Sequence, residues 1–528
     1  SWLTGIGAAA WLDLMVRWFT DPAPFQSGWS YQGNPLVFLA LTTIMVGILV
    51  LAIRLAQNIW AIAIVHAVLV VSAWLWIVAD RPINNSGNTT SPNLLLITLD
   101  TARADRFDGK ALIAPGFTRV AREGVRFDKA ISQIPATGPS HLTLFSAAPP
   151  WKHGALLNGA PTPEHLPLLS EKLNDMGYVS GAFVSSYVLN GNLGFSRGFN
   201  VYLDDFGLVR GLDRVTIGRL FRWIQRGTKP PHLERRANET VDLALKWLNR
   251  QEGAWFAWVH LFDPHGPYEP PQPWDHRYYE GFDPRDPNNP SMKAVEGVAP
   301  YQRLDGITDV DWVIAQYDGE VAYADSQMER LLDWLDRSNQ TNHTLVVVLG
   351  DHGEGLGEEG EWFNHGDWLY EHDIRVPLAM RLPDLIEAGK TVDEVVAISD
   401  VAPTILDYLG LPGSHSLRSG INTNQWAPST VGSICFDREA NRLERQKNKD
   451  FPPTYRMASA RSRQGLYIAR EHDDFEDRVF FFVEPEDRQL ATENLRRQAK
   501  ALFEGEGGAP DLSETDRARL EALGYIEP

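Results

Sequence analysis

Four runs of aliphatic residues, each bounded by polar ones, constrain the fold of this 528-residue chain more than any other feature. They read NLLLITLD (93–100), VSGAFVSS (179–186), AWFAWVHLFD (254–263) and TLVVVLGD (344–351). Apolar runs of this length without polar alternation mark strands buried on both faces. Between them, LPLLSEKLNDMG (166–177) and VDLALKWLNRQEG (241–253) carry helical spacing and close on Gly177 and Gly253 as C-cap signals. Strand alternating with helix predicts an α/β fold, a mostly parallel sheet flanked by helices. Two of the runs end in aspartate, Asp100 and Asp351, and His352 follows the second. Ligands gather beyond the carboxyl ends of such strands, so these side chains stand where a metal would be held.

Ahead of this region lie two apolar stretches, 36–53 without a charge and 59–79 with only His66 as an ionisable residue. Each is long enough to cross about 30 Å of hydrocarbon as a helix. Arg54 lies between them, whereas the stretch before the first, 21–35, carries Asp21 and no basic residue. The positive-inside bias places Arg54 in the cytoplasm and everything after residue 80 outside it. Residues 1–19, with Trp11 and Trp18, read as the end of an earlier span, and a truncated N-terminus is expected. The predicted organisation is a membrane region (1–82), a polar linker (83–91), a catalytic α/β domain (92–411) and a C-terminal α+β subdomain with a tail helix (412–528). In that last part, 458–471 and 477–489 read as a pair of shorter antiparallel strands, and a helix is expected from Ser513 to near Gly524.

Composition removes several functions. A net charge of −19 speaks against a nucleic-acid partner, which demands clustered Lys and Arg. Cys435, the only cysteine, excludes an internal disulfide, a multi-cysteine zinc site and an iron–sulfur cluster.

The chemistry gathers in a few segments. Asp100, Asp351 and His352 offer two hard oxygens and an imidazole, a set suited to calcium, manganese or zinc. In IPATGPSHLTLF (134–145), Pro139 and Ser140 are first-turn residues of a helix, which puts the Thr137 hydroxyl at a positive helix end. From local sequence, Thr137 reads either as a helix N-cap or as a hydroxyl poised to attack. Asp318, Glu320 and Asp325 read as the solvated face of an amphipathic helix. His153 reads as structural.

NLLLITLDTARAD, the TGPSH segment with the WKHG after it, HLFDPHGPYEPP and GDHGEGLGEEGEWFNHGDWLYEHDIRVPL occur in the order and approximate spacing of the sulfatase family of the alkaline phosphatase superfamily. The chain resembles that family over roughly 92–410. The resemblance implies an alkaline-phosphatase-like fold and hydrolysis of a sulfate or phosphate ester. It implies Asp100, Asp351 and His352 as metal ligands, Thr137 as nucleophile, and His265 and His365 as histidines that meet the ester group. Thr101 stands where many members carry a further aspartate, which removes a ligand. Threonine cannot become formylglycine, so none is expected at position 137 and direct attack by the hydroxyl is implied. His141 replaces the usual arginine beside the nucleophile and is assigned with Arg103 to substrate binding, although Arg103 reads equally as the partner of a neighbouring carboxylate. Asp263 either joins His265 and His365 around a second metal or caps the turn before Pro264, the turn being favoured. Two other functions fit the same segments: a transferase moving a phospho-group between envelope components, and an inactive membrane receptor that keeps the fold.

Overall fold

A computed structural model of the chain describes residues 91–109, 113–204, 234–411, 414–423, 425, 429–437, 441, 455–471, 476–482, 485 and 488–504. The two apolar stretches, the earlier span, the linker up to residue 90 and the tail helix lie outside the described residues. No helix among the described residues is long and apolar enough to cross a membrane.

The aliphatic runs become β1 (Asn93–Leu99), β3 (Val179–Phe183), β5 (Trp255–Leu261) and β6 (Thr344–Gly350), in which every residue is buried. They join β2 (Val125–Ile131), β4 (Val201–Leu203), β9 (Arg375–Arg381) and β10 (Lys390–Ala397) in one eight-stranded sheet. The order is β10-β2-β9-β6-β1-β5-β3-β4, and only β9 runs against its neighbours. Alternate residues of β1 enter two separate apolar cores, Leu94 and Leu96 on one face of the sheet and Leu95, Ile97 and Leu99 on the other. A strand with both faces covered has no polar positions to alternate, which explains the uninterrupted runs.

The helices that cover the sheet include α1 (Pro115–Arg122), α2 (Thr137–Ser146), α3 (Leu169–Asp175), α4 (Ala237–Leu248), α5 (Val310–Arg337) and α6 (Val401–Tyr408). Gly177 follows α3 with φ +84°, the left-handed turn that a glycine makes cheaply. The other glycine signal does not hold: α4 is capped at Asn249, four residues before Gly253.

Beyond the catalytic sheet, β11 (Thr430–Phe436), β12 (Arg456–Ser462), β13 (Gly465–Arg470) and β14 (Arg478–Phe481) form an antiparallel sheet covered by α7 (Arg488–Ala501). The run 458–471 is therefore two strands with a turn at Arg463–Gln464, and 477–489 holds a four-residue strand and the start of α7. This sheet packs against the larger one through Ile131, Ile374 and Val395 on one side and Cys435, Met457 and Ile468 on the other. Arg461 adds a two-pronged bond to Glu371, 2.8 and 2.9 Å.

The helical face taken from sequence as solvated is turned inward, with Glu320 and Asp325 buried and Asp318 partly so. Glu320 accepts from Arg236 at 2.9 Å, and Asp325 accepts from the first-turn N–H groups of Gly116 and Phe117 at 2.7 and 2.8 Å. Asp318 accepts from Arg106 at 2.7 Å. All three carboxylates of α5 serve as partners for neighbouring elements, the general condition for charge inside a fold.

Candidate active site

The carboxyl ends of β1 and β6 lie side by side because the strands pair in register from Asn93↔Thr344 to Leu99↔Gly350. The next residue of each strand is aspartate. Asp100 and Asp351 are thus brought together by strand pairing, and His352 joins them; ligand atoms of all three lie within 4.8 Å of one another. All three side chains are buried. Asp351 Oδ1 accepts from the N–H of Thr101 at 3.1 Å and of His352 at 2.7 Å. Thr101 makes its bond from a left-handed backbone, φ +49°, a strained position for a β-branched residue.

Thr137 is the first residue of α2, and Ala136 takes the N-cap position without a side-chain bond. The hydroxyl does not cap the helix. Thr137 Oγ1 lies 3.4 Å from Asp100 Oδ1 and 3.2 Å from His352 Nε2. Ser140 fixes the helix against β6 by donating to the Asp351 carbonyl at 2.7 Å. The first turn has fewer open donors than its sequence suggests: the Gly138 N–H goes to Asn158 Oδ1 at 2.7 Å, and Pro139 has none.

The tautomers follow from the partners. His352 Nδ1 faces the Gly353 carbonyl at 3.0 Å and holds a proton there, so in the neutral ring Nε2 presents its lone pair toward Thr137 and Asp100. A ring held this way is ready to bind a cation through Nε2. Outer oxygens of both aspartates, Asp100 Oδ2 and Asp351 Oδ2, are buried without a hydrogen-bond partner. Unpaired buried carboxylate oxygens are costly, and a divalent cation held by Asp100, Asp351 and His352 would satisfy them. Burial pushes the Asp100 carboxyl up to about 7. Burial disfavours a charged His352, yet Asp351 and Asp100 outweigh it and its pKa rises.

His265 and His365 stand on the next step outward. The His365 ring is 4.6 Å from that of His352, and the His265 ring 4.9 Å from that of His365. His265 is sandwiched by Phe262 at 4.4 Å and Tyr301 at 5.4 Å, and its Nδ1–H donates to the Gly266 carbonyl at 2.7 Å. Burial first, then the facing His365, drives its pKa well below the usual value, so the ring is neutral. His365 Nδ1 faces Glu354 Oε1 at 3.3 Å.

The two residues assigned from sequence to substrate binding are engaged elsewhere. His141 is buried beneath Thr137: Nδ1 donates to the Thr137 carbonyl at 2.8 Å and Nε2 meets Thr98 Oγ1 at 3.0 Å. Trp258 donates to the same Thr98 hydroxyl at 3.0 Å, so the threonine proton is directed to His141. Burial lowers the His141 pKa to about 3, consistent with a neutral ring bracing the start of α2. Arg103 spends all five N–H groups inside the protein, on Asp105 at 3.1 and 2.9 Å, Glu358 at 2.9 and 2.7 Å, and the Glu354 carbonyl at 3.0 Å. Neither is positioned to grip an anion.

Asp263 accepts from the Ala237 N–H at 3.2 Å, and Arg236 lies 3.7 Å away. It caps α4, and it is absent from the groups of potential metal ligands among the described residues. His153 accepts the Ala155 N–H at 3.1 Å and meets Thr143 at 3.0 Å, a structural placement. Sequence reasoning missed His260 and Glu354. His260 Nε2 lies 3.3 Å from Asp100 Oδ2, and burial lowers its pKa to about 4. Its signal was the two-residue period of strands: His260 pairs in register with Thr98, on the same face as Asp100.

The fold, and a buried group of Asp100, Asp351 and His352 that could hold a metal ion, fit a metal-dependent ester hydrolase. The chain belongs to the sulfatase family, which it matches over residues 92–411. It is similar to an arylsulfatase of Clostridium perfringens (strain 13 / Type A), 23% identical over 410 residues, covering 66% of this chain and 83% of the relative. A choline-sulfatase of Rhizobium meliloti (strain 1021) is 26% identical over 362 residues, 61% of this chain and 68% of the relative. Among solved structures, the phosphonate monoester hydrolase SpPMH from Silicibacter pomeroyi superposes with a TM-score of 0.59 at 21% identity, covering 78% of this chain and 94% of that one. That likeness shows the fold.

Proposed function

We propose that this enzyme hydrolyses phosphate or phosphonate esters through direct attack by Thr137, on the outer side of a membrane in which residues 36–53 and 59–79 anchor it. The observation that carries the reading is the Thr137 hydroxyl itself, buried and 3.4 Å from Asp100 and 3.2 Å from His352 rather than turned back onto its own helix. Asp100, Asp351 and His352 would hold a divalent cation, which supplies positive charge to stabilise the Thr137 alkoxide and the substrate's anionic oxygens. Thr137 Oγ1 passes its proton to Asp100 Oδ1, 3.4 Å away, and forms a bond to phosphorus as the bond to the ester oxygen breaks. His365, whose Nδ1 lies 3.3 Å from Glu354 Oε1, protonates that leaving oxygen. Water then breaks the Oγ1–phosphorus bond and gives its proton to Nε2 of the neutral His265, which passes it on to His365, while Asp100 returns its proton to Thr137 Oγ1. His141 holds the Thr137 carbonyl and with it the start of α2.

Sulfate esters are the weaker substrates on this reading, because no aldehyde hydrate is available to expel sulfate from the intermediate. The test compares phosphonate monoesters, phosphate monoesters and diesters, and aryl sulfates with the full chain and its Thr137 variants. Thr137→Ala is expected to lose about a thousandfold or more in kcat/KM, and Thr137→Ser to stay within about tenfold. Preferred turnover of aryl sulfates, or an active Thr137→Ala enzyme, would overturn the proposal.

A further inference from the structure

A second group of potential metal ligands lies outside the catalytic cluster. Glu361 immediately precedes β8 (Trp362–Asn364), which pairs with β7 (Gly355–Leu356), and His372 and Asp373 lie on the helical turn Glu371–Ile374 that leads into β9. One ligand atom from each of the three falls within 4.8 Å of the others. His372 Nε2 is 3.0 Å from Glu361 Oε2 and 3.5 Å from Asp373 Oδ2. The side chains are 4%, 8% and 0% exposed for Glu361, His372 and Asp373, so water cannot solvate the two carboxylates.

Two atoms of the group stand out. Glu361 Oε1 and Asp373 Oδ1 are buried and have no hydrogen-bond partner. Burial, and after it the facing Asp373 carboxylate, pushes the Glu361 carboxyl well up. Arg103 acts on His372 and Asp373 as a nearby cation, and Asp105, Glu358 and the Glu354 carbonyl already occupy all its donors. Either a proton shared by the carboxylates or a bound cation must offset the charge. One imidazole and two carboxylates in one buried place form the donor set of a transition-metal site.

We propose that Glu361, His372 and Asp373 bind a second divalent transition-metal ion, which fastens the β7–β8 hairpin to the turn before β9. The backbone around the group is already braced for that role. Gly353 N–H donates to the Asp373 carbonyl at 2.7 Å and Glu354 N–H to the His372 carbonyl at 3.2 Å, joining this turn to the corner that carries Asp351 and His352. Gly353 allows the approach, since a Cβ there would sit 1.8 Å from the His372 carbonyl oxygen. His365 follows β8 directly, so the ion would hold the hairpin that sets this histidine against His265.

The experiment counts Mn²⁺ bound per full chain after equilibrium dialysis, in the wild type, Asp351→Ala, Glu361→Gln and the double variant, with His372→Ala as a second probe of the new site. The expected stoichiometry is about two in the wild type, about one in either single variant and none in the double variant. Mn²⁺ should raise the melting temperature of Asp351→Ala and leave the double variant unmoved. Glu361→Gln and His372→Ala variants that keep the wild-type count, or an Asp351→Ala chain that binds no Mn²⁺, would overturn the proposal in favour of a shared proton.

Discussion

At the residue scale, the site divides into side chains that identify themselves in sequence and side chains that need the fold. Asp100, Asp351 and His352 follow aliphatic strands directly, and their position at strand ends follows from the pattern alone. Arg103 and His141 are both engaged inside the protein, a placement that sequence leaves open because it shows a residue's charge and not its partners. Arg103 is braced by Asp105 and Glu358, and Arg103→Ala is expected to cost on the order of 2 kcal/mol, discounted because both carboxylates are nearly half exposed. Arg103→Lys should restore little of this, since an ammonium cannot reproduce the planar fork. Chemical denaturation measures the loss; a raised KM at unchanged stability would instead return Arg103 to substrate binding. His260 and Glu354 escaped notice for a different reason. The first is hidden in an apolar strand and the second in a turn, and only pairing with β1 or packing against His365 gives either a role.

At the element scale, the strands buried on both faces were legible, whereas β2, β9 and β10 were not. In β2 and β10 partly buried positions interrupt the apolar pattern, and β9 includes Arg375, Pro377 and Arg381. The long α5 was recognised as a helix with its charged residues turned the wrong way. A carboxylate that faces the N-terminus of another helix looks, in one sequence, the same as one that faces water. Asp325 takes the first two N–H groups of α1, and Asp325→Ala should cost on the order of 2 kcal/mol by leaving them buried without an acceptor. Burial raises Asp325 from 3.8 to about 7, against the two N–H bonds. The folded chain therefore holds the proton more tightly than the unfolded one, and the contribution is full below pH 3.8 and declines as pH rises through about 7. The stability of the wild type relative to Asp325→Asn should fall across that window. A difference that stays flat or grows with pH would contradict the assignment.

At the scale of the whole molecule, β9 running against the other seven strands and the antiparallel sheet packed beside it complete a frame in which the ends of β1 and β6 carry the site. The proposed anchor adds an orientation. Arg54 between the two apolar stretches predicts that a cysteine placed in the 83–90 linker reacts with an impermeant thiol reagent applied to intact or outer-membrane-permeabilised cells. Cys435 is buried and leaves the background silent. Protection of the new cysteine until the inner membrane is opened would reverse the orientation. The central claim, direct attack by Thr137, is tested by rapid acid quench during turnover of a phosphate monoester, followed by mass spectrometry of the peptide that spans residue 137. The account predicts phosphothreonine at Thr137, absent from Thr137→Ala. An unmodified Thr137 in an enzyme whose Thr137→Ala variant is fully active would contradict it.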